Sequence, residues 1–152
     1  MKIMVSACLL GDNTKYDGGN NYCEELSNLL EDYEIIKVCP EVMGGLSIPR
    51  IPSEIKDNKV INKIGEDVTK FYQKGAIKTL DIAKKNNIKI AIFKEKSPSC
   101  GSNYIYDGTF SKILIKGDGI TTKLLKENGI LVFTEKDISL IKEKLKRINY
   151  DE

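Results

Sequence analysis

Lys2-Ile3-Met4-Val5-Ser6-Ala7-Cys8-Leu9-Leu10-Gly11 opens the chain with a β-like apolar run that breaks at a cysteine and a glycine. The same pattern returns downstream. Glu34 to Val38 reads as a second strand and runs into Cys39-Pro40. Ile88 to Phe93 reads as a third, followed by the loop Lys96 to Gly101 that carries Cys100. Short apolar runs bounded by turn formers belong to strands buried on both faces, as in a parallel sheet.

Between the strands lie segments with helical spacing. Tyr22, Leu26, Leu29, Leu30 and Tyr33 predict a first helix that would carry Cys23. The clearest helix runs from Glu66 to Asn86, with Val68, Phe71, Tyr72, Gly75, Ala76, Leu80 and Ala83 on one face. Glu66 and Asp67 open it and Lys84 and Lys85 close it, as the helix dipole favours. Gly75 inside it costs about 1 kcal/mol against alanine, so close packing against a neighbour is expected. Ile120 to Asn128 predicts a short helix stopped by Gly129, and Ile130 to Phe133 a further strand. Thr134 with Asp137 starts a last helix in the manner of a capping box. Pro40 to Pro52 reads as irregular, and Ile55 to Ile61, broken at Asp57-Asn58, as a small hairpin or an extended excursion. Tyr16-Asp17-Gly18 and Tyr106-Asp107-Gly108 read as two similar turns rather than a duplication.

Strands alternating with helices imply an α/β fold: a Rossmann-like parallel sheet with helices on both faces and a site at the carboxyl ends of the strands. No linker or low-complexity tract divides the chain, so residues 1–152 are read as a single domain. Hydrophobic residues make up 41% and charged residues 30%, a globular balance. The net charge of +2, from 24 basic against 22 acidic side chains, gives no electrostatic case for gripping a nucleic-acid backbone. A small molecule is the expected substrate. Met1 to Leu10 is too short for a signal peptide or a membrane span, which points to the cytoplasm and to cysteines kept as thiols or metal ligands. The sequence contains no histidine. That excludes a Ser-His-Asp triad, a Cys-His dyad and any His-ligated metal, and leaves acid–base work to carboxylates, Lys, Tyr, Cys or water.

Of the four cysteines, Cys8, Cys39 and Cys100 share one structural address, just past a strand. In an open parallel sheet, groups there converge on one crevice. Each sits among turn formers, where a core cysteine would lie inside the strand. Cys23, on the first helix, reads as a small buried hydrophobe. Spacing does not name a metal. Three thiolates suit zinc completed by a carboxylate or water, and equally a 4Fe-4S cluster with one iron left open.

Longer strings narrow the choice. Val5-Ser6-Ala7-Cys8-Leu9-Leu10-Gly11, Tyr16-Asp17-Gly18, Val38-Cys39-Pro40-Glu41-Val42, Gly44-Gly45-Leu46, Pro49-Arg50-Ile51-Pro52 and Lys96-Ser97-Pro98-Ser99-Cys100-Gly101 stand in this order. Ile61-Asn62-Lys63, Gly65-Glu66-Asp67-Val68-Thr69 and Gly117-Asp118-Gly119 extend the set. Together they resemble the TudS-type thiouracil desulfidases over nearly the whole chain, apart from the last helix. The resemblance implies a 4Fe-4S cluster held by Cys8, Cys39 and Cys100 and removal of sulfur from thiouracil to give uracil. It also implies a functional carboxylate at Glu41 and a functional serine at Ser97 or Ser99. Lys15 departs from the pattern, standing where Arg often precedes the Tyr-Asp-Gly turn, and Cys23 has no counterpart role.

The chemistry asks for such residues. A thiocarbonyl sulfur is soft, as is an open iron on a thiolate-held cluster, and coordination would expose the ring carbon to water. A fourth cysteine would block that position. Glu41 is the candidate proton relay, its alternative a turn cap. Ser97 and Ser99 would hydrogen-bond substrate or water, or only fix the loop. Gly101 would let the backbone approach the cluster, Asp17 would be a turn residue, and Arg50 a counter-charge or a solvated loop side chain. Two other readings stand beside this one: a persulfide sulfurtransferase with Cys100 as nucleophile, and a non-enzymatic iron–sulfur sensor or carrier. Free bases, nucleosides and thiolated tRNA are all open as thiobase sources, and no residue pattern assigns an oligomeric state.

Overall fold

The computed structural model describes residues 1–151, with side chains through Asn149, and Glu152 lies outside the described residues. In chain order the elements are β1 (Lys2–Ser6), a 3-10 turn (Ala7–Leu10), α1 (Glu24–Leu29), β2 (Glu34–Val38), α2 (Pro40–Met43), β3 (Ser53–Lys56) and β4 (Lys59–Asn62). They continue with α3 (Thr69–Lys85), β5 (Ile90–Phe93), β6 (Tyr104–Tyr106), β7 (Leu114–Lys116), α4 (Ile120–Glu127), β8 (Leu131–Thr134) and α5 (Ile138–Asp151).

Four strands form a sheet in the order β2-β1-β5-β8, and every pairing in it is parallel. Side-chain alternation divides the core between its faces. Ile3, Val5, Ile90 and Ile92 pack with Leu26, Leu30, Ile141 and Leu145 under α1 and α5. Met4, Ala91 and Phe93 pack on the other face with Ala83 of α3 and Leu125 of α4. The mixed α/β fold with a parallel sheet covered on both faces is thus the one the alternation of strands and helices implies. Among the described residues no helix is long and apolar enough to cross a membrane.

Local differences from the sequence reading have identifiable causes. The first helix starts at Glu24, so Cys23 is its N-cap and Tyr22, 54% exposed, lies outside it. The Cys23 N–H is bonded to the Leu9 carbonyl at 3.0 Å, which holds that segment extended against the 3-10 turn. The stretch Pro40 to Pro52 is not wholly irregular, because Pro40 occupies the first turn of α2, where its missing N–H costs nothing. α3 begins at Thr69 rather than Glu66. Asn62 Oδ1 takes the Glu66 N–H at 2.9 Å and Asp67 Oδ1 takes the Thr69 N–H at 2.9 Å, so side chains hold this entry in turns. Phe71 is 43% exposed, and Thr79 is buried on that helix instead, its hydroxyl bonded to the Gly75 carbonyl.

The hairpin expected at Asp57-Asn58 is β3–β4, with φ of 51° and 63° at those residues, the left-handed pair of a two-residue turn. The antiparallel pair β6–β7 was not predicted. Its strands span three residues each, and β7 is exposed throughout, so it has no apolar alternation to read.

Gly75 has the close neighbour its position demanded. A Cβ there would collide with the Pro40 carbonyl, and a Cβ at Gly44 would collide with the Phe71 carbonyl. Helices α2 and α3 therefore meet backbone to backbone. Gly75→Ala should lower stability by about 1–3 kcal/mol in urea unfolding, the overpacking cost outweighing alanine's better helix propensity. Wild-type stability in that variant would contradict the contact.

Candidate active site

Strand order reverses beside β1: the chain steps from β1 to β2 on one side, then crosses to β5 on the other. At such a switch point the loops beyond the carboxyl ends diverge and leave a crevice. Here the crevice is a cavity of about 520 Å³. Cys8 reaches it from the 3-10 turn after β1, Cys39 from the N-cap of α2 directly after β2, and Cys100 from the loop after β5. Cys23 is not on its wall and instead packs against the core under α1 and α5.

Each cavity thiol faces a donor. Asn21 Nδ2 lies 3.4 Å from Cys8 Sγ, the Val42 N–H at the start of α2 faces Cys39, and the Ser6 hydroxyl faces Cys100. Burial pushes the Cys8 and Cys39 thiols above the ordinary range. It pushes Cys100, only 4% exposed, well above, and the Glu41 charge adds to the effect. Thiols this enclosed become thiolates when a metal takes the proton's place, and the donors then stabilise the sulfur charge. A persulfide role for Cys100 would ask for an accessible thiol of lowered pKa, whereas burial raises this one. Among the described residues no group of three His, Cys, Asp or Glu is arranged to hold one metal ion. Mononuclear zinc, with Zn–S bonds of about 2.3 Å, needs its sulfurs gathered round a point. Three thiols on one cavity can also serve a centre in which each binds its own iron.

Beside the thiols lies a buried polar knot. Glu41, in the first turn of α2, receives the Tyr72 hydroxyl on Oε2 at 3.0 Å and the Ser97 hydroxyl on Oε1 at 3.4 Å. Arg50 Nε stands 3.4 Å from Oε2, with side chains only 7% and 15% exposed for Arg50 and Glu41. The guanidinium also donates to the Thr14 carbonyl at 3.0 Å and the Ser47 carbonyl at 3.3 Å. Arg50 is therefore not a solvated loop residue, and Glu41 does more than cap a turn.

The two loop serines part company. Ser97 Oγ accepts the N–H groups of Ser99 and Cys100, both at 3.1 Å, and lines the cavity. Ser99 is fully buried, its hydroxyl 2.8 Å from Thr121 Oγ1 of α4, and it is absent from the cavity wall. The tight turn from Ser97 to Gly101, closed by a 2.8 Å backbone bond, aims successive side chains in different directions. Gly101 serves that turn: a Cβ there would sit 2.7 Å from the Ser97 carbonyl. Asp17 and Asp107 each accept a backbone N–H two residues on, at 2.9 Å, and both remain turn residues.

Sequence reading did not find Tyr72, Asn21 or the opposite wall. Tyr72 stood on an apolar helix face, and only its polar tip hinted at a buried partner. The opposite wall holds Ile51, Pro52, Glu54, Tyr106 and Phe110. Glu54 Oε1 accepts the N–H groups of Gly108 and Phe110 at 3.0 and 3.1 Å, latching the β6–β7 loop to the β3–β4 hairpin. Lys15, Lys63, Lys94, Lys96 and Lys112 also line the cavity.

A model of the 2-thiouracil desulfurase family matches residues 3–137. The chain belongs to that family. It is 42% identical over 147 residues to the uncharacterized protein YbbK of Bacillus subtilis (strain 168), covering 90% of this chain and 97% of that one. Its structure is similar to that of the 4Fe-4S-dependent thiouracil desulfidase TudS, with a TM-score of 0.89 and 40% identity over 95% of this chain and 97% of the other. The family match ends just before α5, so it contains all three cavity cysteines, Glu41 and both loop serines of this chain.

The serines offer a direct test. Ser99→Ala should leave desulfuration within about twofold of wild type and cost about 1 kcal/mol of stability, the worth of one hydrogen bond. Ser97→Ala should lower kcat by about tenfold or more, because it removes a hydroxyl on the cavity wall. The reverse ranking in a thiouracil assay would reassign the loop.

Proposed function

We propose that this chain is a 4Fe-4S-dependent thiouracil desulfidase in which Cys8, Cys39 and Cys100 hold the cluster. The observation that carries the reading is three thiols from three adjacent strand ends on one cavity, with no fourth cysteine there and a carboxylate–hydroxyl pair alongside. Its family membership and its likeness to a 4Fe-4S-dependent desulfidase support it. When bound, the cluster supplies an open iron, a soft Lewis acid for a thiocarbonyl sulfur.

The net reaction is hydrolytic. A C–O bond forms from water, the C–S bond breaks with its electron pair leaving on sulfur, and the ring carbon keeps its oxidation state. No external oxidant or reductant enters. Two protons leave the water in the course of the exchange and both pass to the departing sulfide, while the ring keeps its own N–H protons. Glu41 takes and returns them at Oε1, the oxygen it shares with the Ser97 hydroxyl. Ser97 is itself fixed by the Ser99 and Cys100 N–H groups, so its hydroxyl has one direction left in which to donate. The apolar side of the wall, with Ile51, Pro52 and Phe110, keeps bulk water off the ring.

The persulfide alternative would require an accessible, acidified Cys100, whereas that thiol is buried and its pKa raised. Anaerobic reconstitution, iron and sulfide analysis and a thiouracil turnover assay test the proposal together. We expect about four irons per chain, uracil as product, and loss of both cluster and turnover in Cys8→Ala, Cys39→Ala and Cys100→Ala but not Cys23→Ala. Zinc in place of iron would overturn the site. A stable three-cysteine cluster without turnover would favour a sensor or carrier.

A further inference from the structure

Tyr72 is among the largest fully buried side chains of the protein, yet its hydroxyl sits on the wall of the cavity. It is placed there by backbone contact. Gly75, one helical turn later on the same face of α3, lies flush on the Pro40 carbonyl, and Gly44 lies flush on the Phe71 carbonyl. Those two contacts fix α3 against α2. Tyr72 and Glu41 are neighbours of the contact residues, so the phenol meets the carboxylate at 3.0 Å.

The partners of Glu41 are unequal. Oε2 receives the Tyr72 O–H and stands 3.4 Å from Arg50 Nε, while Oε1 has only the Ser97 hydroxyl, at 3.4 Å. A free carboxylate exchanges its oxygens by rotation. One bonded at Oε2 by a phenol, with a guanidinium in ion-pair contact, is restrained in that rotation. Ser53 stands beside the phenol, and the phenol proton is given to Glu41. Burial first and then the Glu41 charge push the phenol well above its ordinary range, so it remains a donor.

We propose that Tyr72 is a positioning residue for desulfuration: with Arg50 it pins Oε2 of Glu41 and so presents Oε1 to the water and the ring. The proposal rests on the reading of Glu41 as the proton carrier. A phenol that only fills the core and satisfies its own hydroxyl would influence folding and leave the proton-transfer step alone.

The test is a double-mutant cycle on the reconstituted holoenzyme with 2-thiouracil as substrate, using wild type, Tyr72→Phe, Glu41→Gln and the pair. Tyr72→Phe should keep its iron, sulfide and visible spectrum and hold KM within about twofold. Its kcat should fall by about tenfold, the order of one hydrogen bond to a charged group. With Glu41→Gln already in place, the same change should alter kcat by less than about twofold, because the group it acts through is gone. Wild-type kcat in Tyr72→Phe, a rise in KM alone, or the same factor in both backgrounds would overturn the role of Tyr72 and leave Glu41 standing. Full turnover by Glu41→Gln would overturn the reading of Glu41, and this proposal with it. If Tyr72→Phe does not fold, Ser53→Ala goes through the same cycle, since it removes the hydroxyl that stands beside the phenol. A loss that depends on Glu41 supports the proposal, and an additive loss sinks it.

Discussion

The register of β1 between its two parallel neighbours governs the geometry of the site. Ser6 lies opposite Val38 on one side, and Val5 lies opposite Ile92 on the other. Cys39 therefore follows its strand at nearly the level where Cys8 follows its own, and the loop to Cys100 leaves β5 beside them. The side chain of Ser6 joins the set. Its hydroxyl accepts the Lys94 N–H at 3.0 Å and also faces Cys100, linking the ends of β1 and β5. A shift of one residue would turn every side chain of the strand to the opposite face, which the two buried cores forbid. Thiols far apart in sequence are thus held together by apolar packing rather than by local motif spacing.

The polar knot has a different energetic character. A buried carboxylate–guanidinium pair forfeits several kcal/mol of hydration per ion, and its attraction at best roughly offsets that loss. Glu41 and Arg50 are thus poor candidates for stabilisers, whereas removing one partner would leave the other charge stranded at a cost of about 3–5 kcal/mol. What the pair does provide is a fixed carboxylate in a protein without histidine. The carbonyls of Thr14 and Ser47 accept from the two terminal nitrogens of the guanidinium, while Nε has only its ion-pair contact with Glu41.

The parallel sheet was legible because its central strands β1 and β5 are apolar on both faces, and the alignment of three cysteines past three strands followed from that; β2, read as buried on both faces, is an edge strand with Glu34 and Lys37 exposed. Gly75 announced a close contact but not its partner, since nothing in a helix pattern names the opposing backbone. The start of α3 was misplaced because Asn62 and Asp67 compete for backbone N–H groups, a contest invisible to hydrophobic periodicity. Ser97 and Ser99 could not be separated by sequence. Two residues apart in a loop closed by Gly101, one faces the cavity and the other Thr121, and only the turn's three-dimensional path assigns them. Tyr72 was hidden by its own amphipathic nature, read as core while its hydroxyl served the site.

The two walls of the cavity are built on different principles. The thiol wall hangs from the ends of a parallel sheet whose central strands β1 and β5 are largely buried, where small displacements disturb a packed core. The facing wall comes from two short antiparallel hairpins joined chiefly through Glu54, with Phe110 and Lys112 held at positive φ in the connecting loop. Strained loop residues of this kind persist only where surrounding contacts over-determine them. On the proposed function the division would assign tasks: the rigid side would set where sulfur and water meet, and the latched side the shape that a ring must have to reach them. Changes in substrate preference should therefore come from residues of the hairpins, whose alteration leaves the sheet register untouched, while any change that moves α2 against α3 disturbs Glu41 itself.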